Sequence, residues 1–238
     1  MTSLDNQQYT VNPIGFIQSP FKEKFAIPRQ PRLASSAHGI IKLIAPYNHP
    51  DAVRDLEQFS HLWLIFRFHQ TAQQGWNPLV RPPRLGGNKK TGVFSTRSTF
   101  RPNSIGMSAV KLERVIINKN QAQIEVSGID LLDGTPILDI KPYIPYSDAV
   151  DAQGGFADAP PAITMSIEFS EAVLSFIATQ TQYPNLLALI TQVLEQDPRP
   201  AYKKNTDQIQ QYGVRLYDFN IQWQVVNNTT LVTNISQV

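Results

Sequence analysis

The sequence predicts a mainly β N-terminal domain, folded as an antiparallel sheet or small β-barrel, followed by a smaller α+β C-terminal domain. Three observations support this prediction. Short runs rich in Ile, Val, Leu and Phe, separated by Pro, Gly and Asn, fill the chain as far as Pro145. The 18 prolines among 238 residues argue against long helices in the first two thirds. Beyond Pro161 the apolar residues take up helical spacing, and strand-like runs then close the chain.

The N-terminal elements are predicted from these apolar runs. A short helix is expected over Asp51–Phe59, because Pro50 and Asp51 make a helix start and the apolar residues that follow have near-helical spacing. The remaining runs read as strands. They are Val11–Ile17, Gly39–Ile44, Leu62–Phe68, Met107–Ile117, Gln123–Gly128 and Pro136–Ile140.

A change of pattern marks the boundary between the two domains. Tyr146–Pro161 is rich in Asp, Gly and Pro and has little periodicity, which is typical of a linker. We therefore divide the chain into a domain over 1–148, a linker over 149–162 and a second domain over 163–238. The second domain is predicted to hold two helices and three strands. They are a helix capped by Ser170 and running to Thr179, a helix over Asn185–Glu195, and strands over Gly213–Phe219, Ile221–Val226 and Thr230–Ile235.

The bulk composition excludes several kinds of protein. The chain has no cysteine, so disulfides, a thiol nucleophile and cysteine-bound metals are impossible. The segment Met1–Asn6 lacks the basic and apolar regions of a signal peptide, and no run of 18 apolar residues occurs. We expect a cytoplasmic protein with no membrane span. The four histidines show no metal-ligand spacing, so we also expect no metal site.

The charge distribution gives the first indication of function. The formal net charge is only +2, yet the stretch from Gln58 to Leu112 contains no Asp or Glu. Its basic residues are Arg67, Arg81, Arg84, Lys89, Lys90, Arg97, Arg101 and Lys111. Such a cluster attracts phosphates. The alternative is an ordinary solvated surface whose ion-pair partners come from elsewhere in the fold, and the sequence leaves the two readings about equal.

Two motifs add directional polar groups. In Thr96–Ser108, Arg97 and Arg101 are forked donors suited to phosphate or carboxylate, and Asn103 can contact a base or ribose edge. The alternative is a hairpin with incidental arginines. In Asp130–Tyr143, Asp130 suits a ribose hydroxyl or an amine as well as it suits a structural role. Asp133-Gly134 is more simply a turn.

The absence of two nucleotide-binding motifs is also informative. The chain has no G-x-G-x-x-G, and Gly86–Gly92 lacks the G-x-x-x-x-G-K-[ST] pattern. The usual Rossmann cofactor site and a P-loop are therefore not expected.

The motifs taken together resemble the TsaA-like family, which includes bacterial tRNA methyltransferases of the TrmO type. The resemblance covers about residues 12–148. The motifs that carry it are Ile14–Lys22, Pro28–Gln30, Phe59–Trp63, Arg81–Arg84 with Gly86-Gly87, Gly92–Arg97 running into Arg101–Asn103, and Asp133–Pro136 running into Asp139–Tyr143. Asp197–Tyr202 resembles a segment of the C-terminal domain in bacterial members.

The resemblance implies a β-barrel methyltransferase that does not use a Rossmann fold. It implies S-adenosylmethionine as methyl donor, a homodimer with the cofactor near the subunit contact, and methylation of N6-threonylcarbamoyladenosine beside the anticodon of tRNA. The cofactor contacts that it implies are Pro28, Arg29, Gln30, His69, Gln70, Arg97, Met107, Ser127, Gly128, Ile129 and Asp130.

We assign the remaining candidate residues by hypothesis. Arg101 and Asn103 orient the nucleoside, while Asp139, Lys141 and Tyr143 border the substrate pocket. Lys89 and Lys90 contact the tRNA backbone. Two other functions are also compatible with the basic stretch: a noncatalytic RNA-binding module, and a hydrolase that binds nucleotide phosphates.

Overall fold

The computed structural model describes residues 8–199, 203–204 and 208–238. Six antiparallel strands close into a barrel in the order β1-β2-β7-β6-β3-β8. They are β1 (Gly15–Gln18), β2 (His38–Leu43), β3 (His61–Arg67), β6 (Ile105–Asn118), β7 (Gln121–Ser127) and β8 (Pro136–Pro142). Two short strands between β3 and β6 pair with each other, namely β4 (Leu79–Val80) and β5 (Thr91–Gly92). The predicted barrel is confirmed.

Alternating burial explains why these strands close around a core. In β3, Leu62, Leu64 and Phe66 point inward, and their neighbours along the strand are more exposed. Strand β6 pairs with β3 in register, so that Leu62 faces Val110 and Phe66 faces Gly106. Gly106 is required there, because an added Cβ would lie only 2.4 Å from the ring of Phe66. A small residue thus lets a large aromatic ring fill the end of the barrel.

The predicted helix over Asp51–Phe59 is wrong. The structure forms two 3₁₀ turns instead, Pro50–Val53 and Leu56–Gln58. Asp55 lies between them with a left-handed φ of 66°, which interrupts any continuous α-helix. Of the apolar residues that suggested a helix, only Val53 is buried, whereas Leu56 is partly buried and Phe59 is exposed.

The C-terminal part contains a second sheet in the order β10-β11-β12-β9, with helices on it. It follows a short helix α1 (Pro145–Asp148) and a 3₁₀ turn over Gly155–Ala157. Its elements are β9 (Ser166–Phe169), α2 (Glu171–Ala178), α3 (Leu186–Glu195), β10 (Gln210–Leu216), β11 (Phe219–Val226) and β12 (Thr229–Gln237). Ser170 caps α2 by accepting the Val173 N–H, as predicted. The predicted α+β class is confirmed.

The two sheets share one cluster of buried apolar side chains. The backbone also joins them, because Phe21 bridges to Leu216 and the Tyr217 N–H donates to the Pro20 carbonyl at 2.8 Å. The division at 149–162 stays a prediction. Of the predicted Asp197–Tyr202 segment, Pro200, Ala201 and Tyr202 lie outside the described residues. Within the described chain, no helix is both long and apolar enough to cross a bilayer.

Candidate active-site cleft

A cleft of about 940 Å³ opens beside one end of the barrel, which is a volume typical of small-molecule sites. Its walls come from the β1–β2 loop (residues 19–37), the β3–β6 loop (residues 68–104), the start of β6, and the residues that follow β7. Ten of the predicted site residues line it. They are Pro28, Arg29, Gln30, His69, Gln70, Arg97, Arg101, Asn103, Met107 and Asp130. Residues 100 positions apart in the sequence therefore meet in one place.

Arg97 links the two loops across the cleft. Its Nη1 donates to Oε1 of Gln30 at 2.7 Å. Arg101 is held from its own loop, because its Nη1 donates to the Thr96 carbonyl at 3.0 Å. Each guanidinium has further N–H groups beyond these bonds, so both can still bind a ligand oxygen.

The turn after Arg101 brings Asn103 to the cleft. Asn103 and Ser104 both adopt left-handed backbone angles, with φ of 63° and 51°. Asn tolerates this conformation better than most residues, because its short polar side chain interacts locally with the backbone. Consecutive left-handed residues are costly, and such strain clusters at functional sites. The Asn103 side chain is exposed at the cleft wall.

Asp130 supplies the cleft's carboxylate. It is the only acidic residue among the described side chains that line the cleft. Burial raises the pKa of Asp130 to about 6, while a hydrogen bond from Ser108 and the positive charge of Arg97 oppose that rise. The Ser108 hydroxyl donates to Asp130 Oδ1 at 2.7 Å. The carboxyl is therefore ionised at neutral pH and can accept a proton within the ordinary pH range.

His69 is the cleft's second titratable group of interest. Burial lowers the pKa of His69, and the positive charges of Lys24 and Arg67 lower it further, against a backbone hydrogen bond that raises it. The imidazole is thus neutral at pH 7 and can accept as well as donate.

The basic residues of the acid-free stretch are largely unpaired. Within the described chain, Lys111 is the only one of the eight in an ion pair, with Glu113 at 3.1 Å. Among the described residues, the other seven therefore have no ion-pair partner from elsewhere in the fold. Lys89 and Lys90 are exposed on the β3–β6 loop and do not line the cleft.

Three predicted cofactor contacts are buried beside Asp130 and do not reach the cleft. Ile129 is fully buried in the core, and the Ser127 hydroxyl donates to Glu113 Oε1 at 2.5 Å. Gly128 has a φ of 69°, and its carbonyl accepts the Arg32 N–H at 2.8 Å. This segment positions Asp130 and the β1–β2 loop.

Asp139, Lys141 and Tyr143 lie apart from the cleft. Asp139 pairs with Lys141 at 3.0 Å on the exposed face of β8. The Tyr143 ring packs against Trp63, with 5.5 Å between ring centroids. None of the three lines the cleft of the same chain.

Two findings concern residues that the sequence did not assign to the site. Ser108 occupies an inward-facing position of β6, where buried and exposed residues alternate. A polar residue at a position expected to be buried is the sequence feature that could have identified it. Asp133 is structural, as the turn reading favoured. It accepts the Ser19 N–H at 2.8 Å and pairs with Lys22 at 2.8 Å, which joins two of the sequence motifs.

The residues present fit S-adenosylmethionine. That molecule carries an adenosine, a positive sulfonium and an amino acid, and the cleft offers a carboxylate, several cationic donors and apolar walls. Arg29 can receive a carboxylate, and the carboxylate of Asp130 suits a positive or hydroxyl group. Among the described residues, no group of three or more His, Asp or Glu could hold a metal.

Comparison with known proteins identifies the family. Residues 16–149 match the model of the tRNA-methyltransferase O N-terminal domain, and residues 162–238 match the TrmO C-terminal domain. The chain is 53% identical over 216 residues to the tRNA (adenine(37)-N6)-methyltransferase of Escherichia coli, which covers 90% of this chain and 92% of that one. It is 50% identical, over the same shares, to a Pseudomonas aeruginosa protein whose name places it among the S-adenosylmethionine-dependent methyltransferases.

A solved structure agrees over the whole length. The crystal structure of TrmO from Pseudomonas aeruginosa is similar with a TM-score of 0.79 and 42% identity, covering 97% of this chain and 99% of that one. Because both family models match in order and the relatives span nine-tenths or more of the sequence, this chain belongs to the TrmO family.

Proposed function

We propose that this protein is an S-adenosylmethionine-dependent methyltransferase that methylates N6 of the adenosine at position 37 of tRNA, beside the anticodon. The observation that carries the proposal is the cleft itself, in which one ionisable carboxylate, Asp130, lies among Arg97, Arg101 and Gln30. The Escherichia coli relative, matched over 92% of its own length, is named for the same reaction. More finely, we propose that the substrate is N6-threonylcarbamoyladenosine, whose carboxylate would suit the cleft's guanidinium groups.

The chain's residues divide the chemical work. When bound, S-adenosylmethionine supplies a methyl group attached to a positively charged sulfur. Asp130, ionised above about pH 6, takes the proton that leaves N6. Ser108 fixes the orientation of that carboxylate through its 2.7 Å hydrogen bond. Arg101 and Asn103 hold the nucleoside, so that N6 is aligned before the reaction begins.

We further propose that the protein is a homodimer. Met107 and Ile105 are 51% and 42% exposed on the outer face of β6, at the edge of the cleft. In register, Met107 faces Ile65 of β3, and Ile65 faces Asp139 of β8. A second copy packed on this face would cover these apolar residues and bring its own Asp139, Lys141 and Tyr143 near the cleft. Light scattering should then give twice the chain mass, and Met107→Asp should give the monomer.

We assign the tRNA surface to the unpaired basic residues around the cleft, with Lys89 and Lys90 on the backbone of the anticodon arm. The target base lies in a loop, so it is reached without melting a helix. Because the substrate is tRNA, we place the protein in the cytoplasm.

One experiment tests the function. Purified protein is incubated with isotope-labelled S-adenosylmethionine and tRNA that carries or lacks the threonylcarbamoyl group, and the digested nucleosides are analysed. We expect label on the threonylcarbamoyladenosine of the first tRNA alone. Equal labelling of both tRNAs would overturn the finer substrate. No labelling together with no calorimetric binding of the methyl donor would favour an RNA-binding module, and phosphate release from nucleotides would favour a hydrolase.

A further inference from the structure

We propose that the C-terminal part of the chain positions the cofactor-side wall of the cleft, and that Gln192 of α3 is the positioning residue that does so most directly. The inference rests on the proposed function, because it assigns the β1–β2 loop to binding of S-adenosylmethionine. The proposal gives the second sheet and its helices a role in the reaction, although none of the described residues of the C-terminal part lines the cleft.

Helix α3 holds the loop after its cleft-lining residues. Gln192 makes two hydrogen bonds with it: its Oε1 accepts the Ser36 N–H at 2.8 Å, and its Nε2 donates to the Ser35 hydroxyl at 3.1 Å. One helical turn later, Gln196 donates to the Leu33 carbonyl at 3.2 Å. Residues four apart share one face of a helix, so both amides point toward the same stretch of loop.

The second sheet holds the loop on the N-terminal side of Pro28–Gln30. The Phe25 ring lies nearly parallel to the Trp223 indole, with 6.1 Å between centroids and 10° between planes. Tyr212 stacks against the same ring at 6.3 Å. Aromatic contacts of this kind add to the stabilisation from buried area. The loop is therefore fixed at Phe25 and at Leu33–Ser36, and its cleft-lining residues other than Lys24, which are Ile27–Gln30, lie between these two points.

The negative charge of Asp197, just after α3, acts on Arg29 in the Pro28–Gln30 segment. The Asp197 carboxylate accepts from Arg199 Nε at 2.7 Å and pairs with Lys204 at 3.0 Å. Burial lowers the pKa of the Arg29 guanidinium, and the negative charge of Asp197 opposes that fall. Asp197 thus favours the charged form of a side chain that lines the cleft.

The loop needs this external support because its own backbone bonds are few. It contains Pro20, Pro28 and Pro31, which have no N–H to donate, and residues 22–37 form no strand. Its position is also transmitted further, since Gln30 accepts the 2.7 Å hydrogen bond from Arg97 on the opposite wall. A small displacement of Pro28–Gln30 would therefore weaken cofactor binding without removing any group that contacts the substrate.

The test compares four single substitutions in the full-length protein, at Gln192, Thr191 and Gln196. Gln192→Ala removes both bonds to the loop. Gln192→Glu keeps them, because a carboxylate accepts from the Ser36 N–H and from the Ser35 hydroxyl. Thr191→Ala is the matched control, since the Thr191 hydroxyl donates only within α3, to the Leu187 carbonyl at 2.9 Å. The dissociation constant of S-adenosylmethionine is measured by calorimetry, and kcat and KM are measured for both substrates.

For Gln192→Ala we expect the dissociation constant of S-adenosylmethionine to rise roughly three- to tenfold, as loss of one or two hydrogen bonds implies. Its kcat at saturating cofactor should change less than twofold. Gln192→Glu and Thr191→Ala should bind like the native protein. Gln196→Ala should shift affinity in the same direction but less, which keeps the proposal testable if Gln192→Ala folds poorly.

Several results would overturn the proposal. Native affinity in folded Gln192→Ala, or an equal loss in Thr191→Ala, would leave α3 without a positioning role. A fall in kcat with unchanged affinity would mean that Gln192 acts on the chemical step. If the native protein binds no S-adenosylmethionine at all, the proposed function fails and this inference fails with it. If the native protein binds S-adenosylmethionine and Gln192→Ala binds it equally well, only the positioning role of Gln192 fails.

Discussion

The two loops that form the cleft are held in different ways. The β1–β2 loop is fixed from outside, by Gln192, Gln196 and the ring of Trp223 in the C-terminal part and by the Gly128 carbonyl, which accepts the Arg32 N–H. The β3–β6 loop is fixed mainly from within. The Val93 N–H donates to the Pro78 carbonyl at 3.0 Å, and the Thr96 hydroxyl donates to the Val93 carbonyl at 2.8 Å.

This difference separates two contributions to function. The first loop presents Pro28, Arg29 and Gln30, whose placement depends on tertiary contacts far along the chain. The second loop leads into β6 and carries Arg101 and Asn103 to the cleft that Asp130 also lines. We therefore expect changes in the first loop's supports to alter cofactor affinity, and changes on the β6 side to alter turnover.

The largest effect is expected for Asp130→Asn. Asn keeps the bond from Ser108 but cannot take a proton, so kcat/KM should fall roughly a hundred- to a thousandfold. In the native protein, kcat/KM should rise with pH up to about 6 and then level off, because the carboxyl is protonated below its raised pKa. The substitution should abolish that dependence. Initial rates between pH 5 and 8 provide the measurement.

Asp133→Asn serves as the control for this prediction. Asp133 lies three residues away, holds Ser19 and Lys22, and does not line the cleft, so its substitution should leave the pH profile unchanged. If Asp130→Asn retains native turnover and the same pH dependence, the proposed role of Asp130 is wrong, and His69 is the next titratable group of the cleft to test.

A smaller but still large effect is expected for Arg101→Ala. Turnover should fall about a hundredfold, because the substrate loses a fixed cationic donor, while the dissociation constant of S-adenosylmethionine should change less than twofold. Arg101→Lys should recover part of the rate, since it keeps the charge without the planar fork. A loss of cofactor affinity equal to that of Gln192→Ala would break the distinction between the loops.

The barrel was predictable because alternating apolar runs are a local signal. Of the ten predicted residues that line the cleft, eight came from the family resemblance, and Arg101 and Asn103 were assigned by hypothesis. The sequence did not predict the break at Asp55, where a left-handed residue overrides apolar spacing. It also grouped Ser127–Ile129 with Asp130, although only Asp130 turns toward the cleft. The support of the first loop by Gln192 joins residues more than 150 positions apart, and no local pattern in one sequence encodes such a contact.

The smallest effect is expected for the exposed basic residues of the second loop. Replacing both Lys89 and Lys90 by Ala should weaken tRNA binding about tenfold at low salt, and should reduce the slope of log affinity against log salt by about 1.4 to 1.8, since two phosphate contacts are lost. Cofactor affinity should not change. Lys42→Ala removes an exposed cation from β2, which contributes nothing to the cleft, and should leave the slope as it was. An unaltered slope in the double variant would mean that these lysines do not contact tRNA. The second loop would then contribute to function only through the residues that line the cleft.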